Sequence, residues 1–151
     1  LLPAKGTGNA KSLQVMDDDV PSATAGDRVG IALRNAKEEH LSSGSILVHP
    51  EVEDKKTNTS IPLAVQLHKK SLVKLETSPF QKRVLTSGDV VHASVDLQFV
   101  VGRVQTSSSD ELVIEWDSPL FVRRENPEPT VLSQLDSKPR ILGSASLKLL
   151  E

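Results

Sequence analysis

Cysteine and tyrosine are absent from this chain of 151 residues, and aromatic side chains make up only 3% of it. Without cysteine there are no disulfides and no thiolate metal sites, which suits a reducing cytoplasm. Because aromatics are scarce, the core must consist mainly of leucine, valine and isoleucine, and β-branched residues favour strands. No apolar run approaches the roughly 20 residues of a membrane span, so we expect a cytoplasmic protein without membrane contact.

An excess of positive charge is also missing. Acidic residues number 20 and basic residues 18, which gives a formal net charge of −2. A protein that grips nucleic acid mainly through phosphates usually carries a basic excess. The balance therefore argues against strong autonomous binding of nucleic acid, although it leaves room for a local basic strip.

The sequence lacks the familiar signatures of catalysis. No GxxxxGK[ST] phosphate loop, GxSxG or HExxH motif occurs, and the four histidines stand singly. The carboxylates of Asp17–Asp19 would alternate between the faces of a strand, so a solvated turn is a better interpretation than a cation site. We expect no enzyme activity, no metal and no cofactor in this chain itself.

Short apolar runs separated by turn residues predict an all-β chain. The predicted strands cover residues 11–16, 28–34, 45–49, 61–67, 111–116, 120–124, 140–142 and 145–149. Residues 90–104 predict either two strands or one bent strand, with a bulge at Gly102. Residues 17–21 and 106–110 are predicted turns, and residues 35–41 can form one helical turn.

Residues 51–60 are charged and polar, and we interpret them as a linker between two domains. The first domain, residues 1–50, supplies only about three strands, whereas a small closed barrel needs roughly twice as many. We therefore expect the chain to start in the middle of a barrel whose first strands lie upstream. The second domain covers residues 61–151.

The order of motifs in residues 11–50 resembles the second half of domain two of the elongation factor Tu superfamily. The family pattern has a strand close to Ser-Leu-Gln, an AGDxVG turn leading into a strand, a polar helical turn and a glycine-led strand. Here these are Ser12–Gln14, Ala25–Arg34, Lys37–Glu39 and Ser43–Leu47. Gly26-Asp27 makes the tight turn of this pattern.

The second half is similar to the third domain of this superfamily, especially in SelB and in the gamma subunit of initiation factor two. The matching segments are Pro119–Arg124, PLFVRR, and Arg140–Leu147, RILGSASL. The resemblance implies two small antiparallel β-barrels, the first incomplete at its N-terminal side. The Ser-Leu-Gln motif at Ser12–Gln14 favours a SelB-like member over elongation factor Tu itself.

In this family, domain two holds the aminoacyl end of tRNA and domain three touches the acceptor and T stems. The resemblance implies binding of aminoacyl-tRNA, delivery to the ribosome, and contact with an upstream GTPase domain that would bind GTP and Mg²⁺. The implied aminoacyl pocket consists of Gln14, Met16, Asp17 and Arg28. The implied contacts of the second barrel with tRNA or a partner are Arg123, Arg124 and Arg140.

Two departures from elongation factor Tu, together with the cation Arg28, favour a specialised, SelB-like factor. Asp17 stands at a position that is often basic in elongation factor Tu, and an acid there repels phosphates. Gln14 replaces a carboxylate but keeps its capacity for hydrogen bonds. Arg28 adds a cation that would suit an anionic group such as a selenolate.

Two other functions remain open. The chain can be a protein-interaction or regulatory barrel that has lost tRNA binding, which the acidic run Asp17–Asp19 and the net charge favour. A small hydrolase that uses aspartate and histidine ranks last, because no motif supports it.

Overall fold

A computed structural model describes residues 1–2, 4–54, 59–61, 63–108, 111–125, 127 and 129–150, without the side chains of residues 52–54 and 59–61. The chain consists of two compact units, Leu1–Leu47 and Val48–Glu151. Almost all regular structure in the described residues is β-strand, which confirms the predicted all-β fold class. Within these residues, no helix has the length and apolar character needed to span a membrane.

The first unit is a three-stranded antiparallel sheet with the order β2-β1-β3. Its strands are β1, β2 and β3, at Asn9–Val15, Asp18–Val20 and Gly30–Arg34. One 3₁₀ turn, Glu38–His40, lies in the segment predicted to be a helical turn. The predicted strand at residues 45–49 is wrong, since only Ile46 forms an isolated bridge, with Leu2.

One face of this sheet carries the apolar side chains but is poorly covered. Leu13 pairs with Val20 on one side and with Ile31 on the other, so the three side chains share a face. Ile31 is 43% exposed, and Leu2 is the one buried hydrophobic residue in the described part of this unit. Three strands are too few to close a barrel, and the sheet stays open.

The second unit contains a closed six-stranded antiparallel barrel with the order β10-β11-β6-β9-β8-β7. The strands β6 to β11 span, in chain order, Val65–Thr77, Val90–Val95, Gln98–Ser107, Glu111–Arg123, Thr130–Ser133 and Ile141–Leu149. Two short strands precede them, β4 at Val52–Asp54 and β5 at Thr59–Ile61, which pair with each other. Residues 51–60, predicted to be a linker, thus contain β4 and the first two residues of β5.

Several barrel strands differ from those predicted. Strand β6 continues through the charged residues 68–77, because its outward positions meet solvent and only alternate residues need to be apolar. Strand β9 joins two predicted strands, and β11 joins two more. Residues 90–104 form two strands separated by the Asp96–Leu97 turn, the first of the two predicted alternatives.

The barrel core is aliphatic, as the shortage of aromatics predicts. Its fully buried large side chains include Val73, Val91, Ile114, Leu120 and Leu132. Strand β9 shows the predicted alternation: Leu112, Ile114 and Trp116 are buried, whereas Glu111 and Glu115 are exposed. The single tryptophan packs among these aliphatic side chains.

Gly102 is needed for contact with Trp116, and the predicted bulge at this residue is wrong. Gly102 sits in regular register opposite Trp116, while the β8–β9 ladder shifts between Val104 and Thr106. A Cβ atom at residue 102 would lie 2.4 Å from Cε3 of Trp116 and 2.7 Å from Cγ2 of Ile114. The glycine therefore lets the indole ring lie directly on the backbone of β8.

Replacing this glycine should destabilise the barrel. We expect Gly102→Ala to lower the free energy of unfolding by about 1–3 kcal/mol, because the added methyl group displaces the indole ring and the Ile114 side chain. Denaturant unfolding followed by tryptophan fluorescence measures the change. Val101→Ala, on the partly exposed outer face of the same strand, serves as the control. Equal or smaller destabilisation by Gly102→Ala would contradict the close contact.

A buried polar chain links β6 to β9 beside this contact. The Nε1–H group of Trp116 donates to Oγ of Ser71 at 2.9 Å, and Ser71 Oγ lies 2.9 Å from Nδ1 of His68. His68 is 1% exposed and Ser71 is fully buried. Within the described structure, Nε2 of His68 is buried without a hydrogen-bond partner, and burial lowers the pKa of His68 below its ordinary value of 6.5.

The barrel should lose stability in acid because of His68. The unfolded chain takes up this proton near pH 6.5, whereas the folded chain does so only at a lower pH. Stability should therefore be constant above about pH 7 and fall as pH drops through the interval between the two pKa values, by at most about 1.4 kcal/mol per pH unit.

Urea titrations between pH 7.5 and 5 compare the wild-type chain with His68→Leu. The substitution should remove this part of the acid dependence, and His49→Leu at an exposed histidine should leave it in place. An unchanged pH profile in His68→Leu would assign the acid sensitivity to other groups.

Candidate nucleic-acid interface

Three of the four implied pocket residues lie on or beside the β1–β2 hairpin. Gln14 belongs to β1, and Met16 and Asp17 form the connection to β2. Met16 and Asp17 have φ angles of 52° and 71°. Two consecutive left-handed residues are typical of a type I′ hairpin turn, which Asn-Gly adopts more readily than Met-Asp. The turn leaves the Met16 side chain 93% exposed.

Gln14 is held in place by the neighbouring edge strand. It is opposite Asp19 in the ladder, and its Nε2–H group donates to Oδ1 of Asp19 at 3.0 Å. The predicted break at residues 17–21 is thus too long, because the chain turns at Met16–Asp17 and then forms β2. An exposed edge strand tolerates aspartates that a central strand would not.

Arg28 enters the sheet at the same end as this hairpin. Asp27 closes the preceding turn, where the backbone N–H and the hydroxyl of Thr24 donate to Oδ2 of Asp27 at 2.7 and 3.1 Å. Two residues after Arg28, Gly30 pairs with Gln14 at the end of β1. The topology thus brings all four implied pocket residues to one end of the three-stranded sheet.

The charge at this end of the sheet is mixed and mostly acidic. Asp17, Asp18 and Asp19 follow one another along the hairpin, and Arg28 is exposed. Arg28 makes no ion pair or side-chain hydrogen bond with any other described residue. Carboxylates here oppose phosphate groups, whereas an exposed guanidinium can donate to one anionic group.

Two of the three implied contact arginines are held by the second unit. The Arg123 guanidinium forms an ion pair with Asp96 in the β7–β8 turn. Nε of Arg124 donates to the backbone carbonyl of Leu63 at 2.9 Å. Both side chains thus make contacts within one end of the barrel and also face solvent. The partners Asp96 and Leu63 are too far away in the sequence to be predicted from it.

Arg140 lies at the other end of the barrel. Its carbonyl accepts from the backbone N–H of Gln134, whose Nε2 donates to the carbonyl of Val90 at the start of β7. Asp96, the partner of Arg123, follows the end of β7. Six residues of strand span about 20 Å, so Arg140 does not join Arg123 and Arg124 in one strip.

Two surface clefts of the second unit were not expected from the sequence. One, of about 210 Å³, lies at the end of the barrel near Lys82, Arg83 and Leu142. The other, of about 400 Å³, is lined by residues of β6 and β11 together with Val122, Pro127, Pro129 and Thr130. In the part of the chain that the structure describes, no group of three histidine, aspartate or glutamate side chains is placed to hold a metal ion.

No protein-family model and no curated protein matches this sequence. Among solved structures, the chain is similar to translation elongation factor SelB from Methanococcus maripaludis in its apo form. The TM-score is 0.71 at 19% sequence identity, and the match covers 99% of this chain. It covers 34% of the SelB chain, so this protein spans about one third of that length. At this identity the match concerns the fold alone: a translation-factor-like arrangement of strands with a β-barrel.

Proposed function

We propose that this chain is the tRNA-holding part of a SelB-like translation factor, a binding module rather than an enzyme. The observation that carries the proposal is the fold match across 99% of the chain to an elongation factor. The motif order within residues 11–50 supports it independently, because that order resembles domain two of the same superfamily. GTP hydrolysis would belong to an upstream domain outside this chain.

The end of the three-stranded sheet is the proposed site for the aminoacyl end of tRNA. Met16 offers an exposed apolar side chain, Gln14 an oriented amide, and Arg28 a guanidinium without a partner among the described residues. The aspartates nearby disfavour phosphates. A single anionic group beside Arg28 is therefore a better ligand than a stretch of nucleic-acid phosphate backbone. This chemistry suits an anionic aminoacyl side chain such as a selenolate.

The barrel would support this module by contacting the tRNA stem, the ribosome or the upstream domain. Arg124 is exposed at one barrel end, although its Nε is bonded to Leu63. Arg123 is partly neutralised by Asp96, which reduces what it contributes to phosphate binding. We therefore assign these arginines a weaker role in affinity than Arg28.

A protein-interaction module that no longer binds tRNA is the second candidate. The acidic run at the hairpin favours it, and so does the distance between Arg140 and the other two arginines, because these three side chains do not share one end of the barrel. The two functions differ in one measurable property, the affinity for aminoacyl-tRNA at low salt.

Binding of aminoacyl-tRNA should depend on Arg28. We expect Arg28→Ala to weaken binding roughly three- to tenfold at low salt, because it removes one charge-assisted contact. Fluorescence titration with labelled aminoacyl-tRNA measures this. Arg34→Ala is the matched control, since Arg34 is an exposed arginine at the opposite end of β3. Equal affinities of the two variants, or no binding by the wild-type chain, would contradict the tRNA proposal and favour the protein-interaction module.

The chain alone should not bind GTP. Calorimetric titration with GTP and Mg²⁺ should give no binding heat, because no phosphate loop is present. A clear saturable signal would contradict the division of labour between this module and an upstream GTPase domain.

A further inference from the structure

Two aromatic rings stack on the outer face of the barrel. His92 of β7 and Phe99 of β8 point outward, because Ala93 and Val100, which alternate with them along the two strands, are buried in the core. The ring centroids of His92 and Phe99 lie 5.1 Å apart, and the ring planes differ by 19°. We call this stacked pair the aromatic platform.

The platform has an open side at Phe99. His92 covers one face of the phenyl ring, yet Phe99 remains 57% exposed. The exposed surface therefore includes the opposite face of the ring. A further planar ring placed there would continue the stack that His92 and Phe99 begin.

Contacts on both sides of the β7–β8 turn hold the platform in place. The Nε2–H group of Gln98 donates to the carbonyl of Phe121 at 2.7 Å, and its Oε1 accepts from the N–H of Phe121 at 2.9 Å. Asp96, on the other side of the turn, forms an ion pair with Arg123. The backbone that carries Phe99 is thus ordered before any ligand arrives, which lowers the entropic cost of binding.

Cations lie on both sides of Phe99. Arg103 is exposed on the same outer face of β8, four residues further along and so about 13 Å away. Its Nη1–H group donates to the carbonyl of Gly88 at 3.2 Å. Arg123 lies on the other side, where it contacts Asp96 three residues before Phe99. A planar ligand with negative charge on both sides would match this order of cation, aromatic ring and cation.

Acidic side chains limit how much negative charge this surface can accept. Glu115 is exposed opposite Arg103 in the β8–β9 ladder, and Asp96 offsets part of the charge of Arg123. These carboxylates oppose a long run of phosphates, such as a duplex presents. The bases of a duplex are also paired and stacked on one another, whereas an unpaired base can stack on a protein side chain.

We propose that the aromatic platform binds an unpaired nucleobase of an RNA ligand, with Arg103 and Arg123 on the sides where the neighbouring phosphates lie. Phenylalanine and histidine rings are side chains on which unpaired bases stack, and every base offers a flat π face. An apolar peptide segment would use Phe99 only as apolar surface. The inference rests on the proposed tRNA binding for its natural ligand, but it uses residues of the second unit alone.

Titration of the complete chain with a single-stranded hexamer of adenosine nucleotides at low salt tests the platform. We expect NMR spectra to show upfield shifts of the Phe99 ring protons, because a stacked adenine shields them. Phe99→Ala should weaken hexamer binding at least about fivefold, since it removes the ring on which the base stacks. No shift of these ring protons at saturating hexamer would overturn the proposal.

Two further substitutions separate stacking from apolar contact. Phe99→Leu keeps an apolar side chain without a ring and should weaken binding nearly as much as Phe99→Ala, whereas Phe99→Trp should preserve it. Affinity unchanged in Phe99→Leu would contradict stacking and would favour an apolar protein segment as the occupant.

Phe80→Ala is the matched control. Phe80 is 78% exposed and precedes the cations Lys82 and Arg83, but no described aromatic ring stacks on it. Its replacement should leave hexamer binding unchanged. An equal loss of affinity in Phe80→Ala and Phe99→Ala would reduce the effect to exposed phenyl rings near positive charge and reject the platform.

Arg28→Ala distinguishes failure of this inference from failure of the proposed aminoacyl site. It should leave hexamer binding unchanged, because the hexamer carries no aminoacyl group. If binding of aminoacyl-tRNA does not depend on Arg28 while the hexamer still requires Phe99, the aminoacyl site is wrong and the platform is supported. The reverse result would contradict the platform alone.

Discussion

The barrel closes through its shortest strand. β10 has four residues, and it bonds to β11 on one side and to β7 on the other. Without it the other five strands would form an open sheet with two edges. Leu132, at its centre, is fully buried and belongs to the main core cluster, so closure and core packing depend on the same short segment. Because β10 is shorter than β11, closure also leaves part of β11 beside a cleft.

The sequence predicts the strands whose apolar residues alternate with polar ones. It misses the strands that form because they pair with neighbouring strands. Residues 111–116 alternate between apolar and charged side chains, and they form the buried start of β9 as predicted. The sequence does not predict β10, because residues 130–133 show no clear alternation of apolar and polar side chains. The strand forms because it pairs with both β11 and β7. The sequence predicts a turn at Asp18–Val20 because aspartate is rare in strands, but a tight turn at Met16–Asp17 places these residues in an edge strand.

The sequence names candidate site residues but not how they are arranged in space. The motif order within residues 11–50 selected Gln14 and Arg28, and the topology brings both to one end of a sheet. No local pattern could indicate that Asp96, 27 residues before Arg123, forms an ion pair with it. Nor could spacing along the chain show that Arg140 lies at the opposite end of β7. Tertiary pairing alone decides which charges act together.

These placements limit how the chain can recognise a highly charged ligand. Affinity for a nucleic-acid backbone grows with the number of phosphates that are neutralised together, so separated arginines contribute little cooperative attraction. The exposed Arg28 lies at the same end of the sheet as the acidic hairpin Asp17–Asp19, and neighbouring carboxylates oppose a long run of phosphates. In the proposed function, the group at the end of the ligand would set the specificity, and another domain or partner would supply most of the affinity.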